Sequence, residues 1–319
     1  QYDHEVGIRT VIKPGFDASV LRLDNGKYLS VKIDGNPKHC YLNPRDGAIG
    51  CFEEACRNVV CTGAMPIGMV DHLQFGNPED PEIFWTFMES LEGLTDFAKF
   101  LKIPCVGGKV SFYNETPSGP IKPTPLIGVL GIINKTPLHL VPPKSGDYLV
   151  IVGSTENELG GSEYFEYIDD FIGGVCPTVD FKSSKSNMST VLSLIKQDLV
   201  KSVHDCAKGG ISIAVSEMSI FGGIGCNIDI GKSPSEQNLN SEQLLFSESH
   251  SRYLLVVTQN NIKKVKQFLS KKKNHFGVLG SFTSDQISIK HKSKNIVKVN
   301  VDTAQRKYFN ALKEILDNG

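Results

Sequence analysis

The sequence predicts an α/β protein with two consecutive domains. Segments with the apolar alternation of strands and segments with the apolar spacing of helices follow each other along the chain. The length of 319 residues exceeds the usual size of one domain. One stretch, Val141 to Gly146, interrupts both patterns with two prolines, a serine and a glycine. We therefore expect one domain over residues 1–143 and a second over residues 144–319.

The first domain is expected to mix strands with helices. Its strands are expected at residues 17–23, 28–33, 66–75 and 103–106. Apolar residues at helical spacing predict a helix over 46–62, which should stop at Gly63. Asp80 and Pro81 are suited to cap and begin a second helix. The buried side of that helix is expected to comprise Phe84, Phe87, Met88, Leu91, Leu94 and Leu101.

The second domain repeats this alternation. Strands are expected at residues 148–152, 226–230, 253–258, 276–280, 286–290 and 296–300. Helices are expected at residues 162–172, 187–203, 210–220, 260–272 and 302–316. The lysine run 271–273 should be the solvated end of a helix, where cations suit the helix dipole.

Composition and charge exclude several classes of protein. The 34 basic and 35 acidic residues give a net charge of -1, which favours neither a nucleic acid nor an anionic membrane as partner. No apolar run approaches the roughly 20 residues that cross a bilayer, and the first residues lack the apolar core of a signal peptide. The eight cysteines lack metal-binding spacing. We expect a cytoplasmic protein with free, mostly buried thiols.

Generic nucleotide and hydrolase motifs are incomplete. Residues 231–233 have the end of a phosphate-binding P-loop, but the preceding glycine is one residue too far away. The pair His204–Asp205 and the run 248–251 contain residue types of catalytic triads. Since neighbours in sequence rarely point together, they do not indicate a serine hydrolase.

The segment Gly107 to Ser111 has the composition of an anion-binding loop. Its two glycines would let backbone amides approach an anion, Lys109 supplies charge, and Ser111 offers a hydroxyl. Asp71, near the end of a strand, could accept hydrogen bonds from a nucleotide or hold a cation. From the residues alone, a tight turn with a capping aspartate is an equally open interpretation.

Eight motifs occur in order along the chain. They are Tyr2–His4, Asp17–Leu23, Asp34–Pro37, Glu54–Ala64, Phe75–Glu79, Gly107–Glu115, His204–Gly210 and Ser247–Arg252. Together they resemble the C-terminal half of the phosphoribosylformylglycinamidine synthase family. The resemblance covers nearly the whole chain, and its most specific motifs are Asn-Pro-Glu and Gly-Gly-x-Val-Ser-x-Tyr-Asn-Glu.

This resemblance implies an aminoimidazole ribonucleotide synthetase-like α/β (α+β) fold. An ATP-binding and pairing domain would occupy residues 1–143, followed by a C-terminal-type domain over 144–319. The family is a ligase that uses ATP and Mg²⁺ to amidate formylglycinamide ribonucleotide with glutamine-derived ammonia in purine biosynthesis. The implied partners are the N-terminal half of the same enzyme, a glutaminase subunit, a small accessory subunit and the small-molecule substrate, with no nucleic acid and no membrane.

The resemblance also assigns site residues. It implies that Asp71 and Gly108 contact ATP and that Ser111 contacts the ribonucleotide substrate. Many members have an Mg²⁺-binding Asn where this chain has Lys109. Because an ammonium group cannot ligate a metal, we expect Lys109 to repel Mg²⁺ or to bind phosphate in its place, and we assign no metal ligand here.

The chain is expected to be catalytically incomplete. The Asn-His-Pro motif that carries the family's catalytic histidine does not occur, so no catalytic residue is expected here, and most Mg²⁺ ligands are expected in the N-terminal half. His72 should point away from Asp71 and be structural. For Asp34 and Glu115, capping or turn roles are at least as consistent with the sequence as functional ones.

Two other interpretations stay open. The chain could belong to another ATP-using enzyme of the same superfamily, similar to a thiamine phosphate or selenophosphate kinase and active as a homodimer. The motif Phe75–Glu79 argues against it. Alternatively, the chain could be a non-catalytic pairing scaffold that holds a structural nucleotide.

Overall fold

The first half of the chain forms a six-stranded sheet and a small hairpin. The computed structural model describes residues 3, 5–134, 137 and 141–318, so the Tyr2–His4 motif lies largely outside the described residues. The strands are β1 (Thr10–Ile12), β2 (Ser19–Arg22), β3 (Tyr28–Asp34), β4 (Met65–Gln74), β5 (Cys105–Ser111), β6 (Glu115–Thr116), β7 (Gly119–Pro120) and β8 (Thr124–Ile133). The sheet order is β1-β2-β3-β8-β4-β5, and β4 and β5 pair in parallel.

The described residues of this half form three α-helices, α1 (Pro37–Leu42), α2 (Pro44–Cys61) and α3 (Pro81–Leu101). Each has proline in its first turn. The predicted 46–62 helix is confirmed as α2, with an earlier start because the Asn43 side chain accepts a hydrogen bond from the N–H of Asp46. The predicted cap Asp80 is confirmed, since its carboxylate accepts hydrogen bonds from the first N–H groups of α3.

The predicted buried side of α3 is partly wrong. Leu94 is buried, but Phe84 and Met88 are 46% and 40% exposed. The helix contacts α2 through Gly93, where a Cβ atom would lie 2.6 Å from the carbonyl oxygen of Arg45. This close approach sets the rotation of α3 and buries Phe97, and apolar spacing alone does not locate such a contact.

The second half forms a seven-stranded sheet in the order β10-β12-β9-β13-β11-β14-β15. Its strands are β9 (Tyr148–Val152), β10 (Ser202–Asp205), β11 (Cys226–Asp229), β12 (Tyr253–Val257), β13 (Phe276–Phe282), β14 (Gln286–His291) and β15 (Lys294–Asn300). Its helices are α4 (Glu163–Asp169), α5 (Phe181–Lys196), α6 (Gly210–Gly222), α7 (Ser241–Phe246), α8 (Ile262–Lys272) and α9 (Val301–Asn318). The six predicted strands are confirmed, and the predicted lysine run does end α8.

The predicted 187–203 helix is wrong at both ends. Asp180 caps α5, which therefore begins at Phe181 and ends at Lys196. The residues Ser202 to Asp205 form the fully buried strand β10, which pairs with β12. Because all four residues of β10 are buried, the strand lacks the alternation of exposed and buried residues that would separate it from the helix pattern before it.

Helix α2 lies at the centre of the molecule. One apolar cluster extends from β8 of the first sheet through α2 to β9 and β12 of the second sheet. Small residues allow the close packing: a Cβ atom on Gly47 would lie 2.4 Å from the N atom of Cys40, and one on Gly50 would lie 2.6 Å from the His250 ring. The two halves therefore share a core.

Buried charges reinforce this junction. Arg57 of α2 forms a salt bridge with Glu53 one turn earlier, and its second nitrogen lies 3.3 Å from Oδ2 of Asp205 at the end of β10. Glu53 also accepts hydrogen bonds from the Ser184 hydroxyl and the Ser251 N–H. Burial opposes the charge, but the carboxylates around Arg57 raise its pKa above the usual value.

The face of the first sheet opposite α2 is apolar and exposed. Ile33 is 63% exposed, and Val70 is exposed beside it. Leu29 and Val31 on β3 and Leu130 on β8 are half-buried on the same face. At the edge, β5 is exposed along almost its whole length. An apolar sheet face of this kind is typical of an interaction surface.

The expectations for membrane spans and cysteines can be compared with the structure. Among the described residues, no helix has the length and apolar character needed to cross a membrane. All eight cysteines are free; seven are buried, and Cys105 is exposed.

Replacing Arg57 with methionine should destabilise the fold strongly. The change would leave the carboxylates of Glu53 and Asp205 buried without their cation, which costs about 3–5 kcal/mol. Urea denaturation measures the loss. The control is Arg45→Met, because Arg45 pairs with Glu92 and Asp96 at the surface and should contribute about 0–1 kcal/mol. Equal effects of the two substitutions would contradict the assignment of the junction to Arg57.

Candidate functional site

Asp71 and Gly108 lie together on neighbouring parallel strands. Asp71 of β4 pairs with Gly108 of β5. A Cβ atom on Gly108 would lie 2.5 Å from Oδ1 of Asp71, so only glycine leaves room for this carboxylate. The Cys105 thiol lies 3.3 Å from Oδ2 of Asp71 and can donate a hydrogen bond to it. The carboxylate is thus held against the edge strand with open space beside it.

The predicted loop at Gly107 and Gly108 is wrong. Strand β5 continues through both glycines to Ser111. Glycine disfavours strands, so the pattern predicts a stop, but parallel pairing with β4 stabilises the extended backbone. In this edge strand, every second residue turns its N–H and C=O away from β4. A ligand would meet these groups rather than a curved nest of amides.

Lys109 and Ser111 lie on the opposite face of β5 from Gly108. Side chains alternate along a strand, and Lys109 pairs with His72 while Gly108 pairs with Asp71. His72 therefore points away from Asp71, in agreement with the sequence analysis. The Ser111 hydroxyl lies 3.3 Å from Oδ1 of Asn114. The structure brings Asp71 and Gly108 together and places Ser111 on the other side of the strand.

Glu115 has the turn role that the sequence allowed. Its Oε1 atom accepts a hydrogen bond of 3.0 Å from the N–H of Asn77. The Asn114 amide donates to the carbonyl oxygens of Phe75 and Ser111. These bonds fix the segment that leads from β4 into α3 beside the end of β5.

A second group of polar side chains lines a cavity of about 280 Å³ where the two halves meet. The first half contributes β3 and α2, and the second contributes the end of β10 and the start of α6. The charged and amide side chains in the lining are Lys32, Asp34, Glu54, Asn58, His204, Asp205, Lys208 and Glu217.

Asp34 is a half-buried carboxylate of the cavity and not a helix cap. Burial raises its pKa to about 8, the Glu54 carboxylate adds to the rise, and Lys32 opposes it. The Asn58 amide donates to Oδ2 of Asp34 at 3.3 Å. The capping role considered from the sequence belongs to Asn36, whose side chain caps α1.

His204 is held between two carboxylates. Its Nδ1 lies 3.0 Å from Oδ1 of Asp17, and its Nε2 lies 3.2 Å from Oε2 of Glu217. Burial would lower its pKa, but Asp17 and Glu217 raise it well above the usual value. His204 therefore carries a positive charge, and it comes within 3.8 Å of its neighbour Asp205.

The cavity has the donor atoms that a hard divalent cation prefers. Asp34, Glu54, Asn58 and Asp205 offer carboxylate and amide oxygens. Burial raises the pKa of Glu54, and the Asp205 carboxylate adds to this rise. A cation bound beside Asp34 and Glu54 would lower the pKa values of both carboxylates. Among the acidic, histidine and cysteine side chains that the structure describes, the group of three whose ligand atoms lie within 4.8 Å of one another is Asp17, His204 and Asp205, but a charged His204 has no free nitrogen lone pair for a metal.

One row of residues joins the two sites. Asp34 of β3 and Asp71 of β4 both pair with Ile127 of β8, so they lie on the same face at the same level of the sheet. Two strand spacings separate them by about 9–10 Å. Gly108 continues the row on β5. The row places the cavity and the Asp71–Gly108 edge at one end of the first sheet.

Sequence reasoning missed most of the cavity. Glu54, Arg57 and Asn58 lie within a motif that the resemblance included, but their roles depend on which face of α2 meets the second half. A signal was present, since a helix that is small and apolar on most sides yet carries these polar residues must bury them.

Two family models match the chain. Residues 15–133 match the model described as the N-terminal domain of AIR synthase related protein, and residues 144–292 match the one described as its C-terminal domain. These matches cover most of both halves.

Curated proteins named phosphoribosylformylglycinamidine synthase subunit PurL are similar to the chain. The protein from Thermococcus sibiricus is 42% identical over 318 residues, which cover 99% of this chain and 44% of that protein. The protein from Methanocaldococcus jannaschii is 40% identical over 328 residues, covering 99% and 44%. The chain thus spans less than half the length of these relatives.

Solved structures share the fold at low identity. T. maritima PurL complexed with FGAR matches with a TM-score of 0.77 and 19% identity, over 90% of this chain and 47% of that chain. A chain of the HypE–HypF complex matches with a TM-score of 0.67 and 15% identity, over 89% and 92%. The fold therefore corresponds to about half of the T. maritima PurL chain and to nearly all of the chain from the HypE–HypF complex.

Asp34→Asn should change how stability depends on pH. The folded chain keeps the Asp34 proton up to about pH 8, whereas the unfolded chain loses it near its ordinary pKa of 3.8. This group therefore makes the fold less stable as pH rises from about 4 to 8. Without added metal, the variant should exceed the wild type in melting temperature by more at pH 8 than at pH 5.

Thermal unfolding across this pH range measures the difference. Asp24→Asn is the control, because Asp24 is an exposed partner of Arg9. If the melting temperatures of the wild type and Asp34→Asn change with pH in parallel, the pKa of Asp34 is not raised in the folded chain.

Proposed function

The chain belongs to the AIR synthase related proteins, and we propose that it forms the C-terminal half of a phosphoribosylformylglycinamidine synthase. Such an enzyme converts formylglycinamide ribonucleotide to formylglycinamidine ribonucleotide with ATP and glutamine-derived ammonia. The observation that carries the proposal is the 42% identity over 318 residues to a curated relative of that name. The division at residues 143 and 144 and a cytoplasmic location are part of the proposal.

We assign nucleotide contact to Asp71 and Gly108. The carboxylate can accept hydrogen bonds from amine or hydroxyl groups of ATP, and the missing Cβ of Gly108 keeps that carboxylate accessible. Ser111, on the other face of β5, offers its hydroxyl to the ribonucleotide substrate. Because an edge strand serves both faces, one short segment can contact two ligands of one site.

Mg²⁺ fits the junction cavity better than the β5 edge. Asp34 and Glu54 would supply its carboxylate ligands and Asn58 an amide oxygen; burial raises the pKa of both carboxylates, and a cation beside them would lower it. Mg²⁺ would neutralise phosphate charge when ATP is bound. This proposal differs from the expectation of no metal ligand in the chain. Lys109 remains excluded, because it has no lone pair while charged.

The exposed sheet face supports pairing with the N-terminal half. The apolar surface around Ile33 and Val70, together with the exposed edge strand β5, would be buried by a counterpart sheet. The site at β5 would then be completed by that half. A glutaminase subunit and a small accessory subunit are proposed as further partners, and the structure of PurLQS from Thermotoga maritima shares the fold.

A self-paired enzyme of the same fold is the second candidate. The fold match to 92% of a chain in the HypE–HypF complex keeps it open, because a unit of this size can be a whole chain, while the 42% identity to a PurL subunit supports the first candidate. In this candidate, two copies of the chain would bury the same sheet face. ATP-dependent activity without any counterpart half would support it over the first candidate.

Gly108→Ala should abolish most ATP-dependent turnover of the assembled enzyme. The new Cβ atom would occupy the space 2.5 Å from the Asp71 carboxylate and displace it. We expect a loss of about 100-fold or more, and a similar loss for Asp71→Ala, with an unchanged melting temperature. Gly107→Ala is the control, since its Cβ would lie 3.9 Å from Cγ1 of Val70, an ordinary van der Waals contact. Wild-type turnover of Gly108→Ala and Asp71→Ala would refute the assignment.

Mg²⁺ should raise the melting temperature of the chain through the cavity. The shift should increase with Mg²⁺ concentration, because the cation binds the folded state. Glu54→Gln removes one anionic ligand and should weaken Mg²⁺ binding by about tenfold. Glu82→Gln is the control: it changes an acidic residue in the first turn of α3 and should leave Mg²⁺ binding unchanged. An identical Mg²⁺ response of Glu54→Gln and the wild type would place the metal elsewhere.

A further inference from the structure

Two basic side chains interrupt the apolar face of the first sheet. His72 of β4 and Lys109 of β5 are paired neighbours on this face, and Leu126 of β8 lies on the other side of His72. Among the residues of β4, β5 and β8 on this face, they are the side chains that can carry a positive charge. They lie between the exposed apolar patch at Val70 and the Ser111 end of β5.

Neither side chain has a polar partner in the part of the chain that the structure describes. The Nε2 atom of His72 is buried and has no hydrogen-bond partner among the described residues. Lys109 is exposed, and in the part of the chain that the structure describes it makes no ion pair or side-chain hydrogen bond. A buried nitrogen without a partner costs free energy, so the half-buried His72 ring is expected to turn towards a partner from outside the chain.

We propose that His72 and Lys109 form a basic anchor for an acidic side chain on the pairing face of the N-terminal half. This inference rests on the proposed function, because it specifies the chemistry of the surface that covers the sheet. The partner is an apolar sheet face that carries a carboxylate opposite the anchor. The proposal gives Lys109 a role at the pairing surface, on the opposite face of β5 from Asp71 and Gly108.

The argument for a carboxylate follows from burial. When a counterpart sheet covers this face, the Lys109 ammonium loses water, and an apolar neighbour would leave it unpaired at high cost. A carboxylate can accept hydrogen bonds from both Lys109 and His72. Since the rest of the face is apolar, this pair would also fix the register of the two sheets.

Isothermal titration calorimetry tests the anchor. The chain is titrated with the part of the Thermococcus sibiricus relative that lies outside its match to this chain, at low and high salt. Lys109→Met should weaken binding by about tenfold or more and flatten its salt dependence. His72→Leu should weaken binding less than Lys109→Met does, and Lys109→Glu should weaken it more. Lys109→Arg keeps the positive charge and should bind about as tightly as the wild type. Lys27→Met, in the exposed turn between β2 and β3, is the matched control and should bind as the wild type does.

A separate variant distinguishes this inference from the proposed function. Ile33→Asp places a charge in the apolar face and should abolish binding. Ile33→Asp could abolish binding while Lys109→Met and His72→Leu bind as tightly as the wild type. In that case the proposed anchor is wrong, but the assignment of the pairing face is supported. If the wild type does not bind, or Ile33→Asp binds normally, the pairing face fails, and the anchor fails with it.

Repeating the titrations with and without ATP identifies the anion. The proposal expects Lys109→Met to weaken binding equally in both cases, because a protein carboxylate is present throughout. A loss that appears only with ATP would assign Lys109 to a nucleotide phosphate and overturn the anchor.

Discussion

The structure depends on the buried contact between Arg57 and the carboxylates of Glu53 and Asp205. Arg57 lies on α2, the helix shared by both cores, and Asp205 ends the strand β10 of the second half. A cation in this position requires both carboxylates, and each carboxylate would be costly without it. The contact therefore fixes the second half against the first and sets the walls of the cavity between them.

Charge in that cavity is only partly compensated inside the chain. His204 is neutralised by Asp17 and Glu217, and Arg57 by its two partners. The row from Asp34 through Ile127 to Asp71 carries acidic groups from the cavity to the exposed edge at Gly108. Raised pKa values at one end and an unpaired strand edge at the other are features of a site that external groups complete.

The sequence predicted much of the architecture because its signals are local. The cap at Asp80, the proline starts of the helices and the alternation of the strands depend on neighbouring residues alone. Prediction from the sequence failed where contacts between distant parts of the chain determine the local structure. The strand through Gly107 and Gly108 exists because β4 pairs with it, the rotation of α3 depends on Gly93, and the role of Asp34 depends on a helix packed above it.

The central claim is that this chain supplies one wall of a site that another half completes. Calorimetric titration with ATP and Mg²⁺, on the chain alone and after assembly with the N-terminal half, tests it most directly. The account predicts weak or undetectable ATP binding to the isolated chain and tight binding after assembly, lost in Asp71→Ala. ATP binding of equal strength to the isolated chain would contradict a shared site and indicate a self-contained nucleotide site.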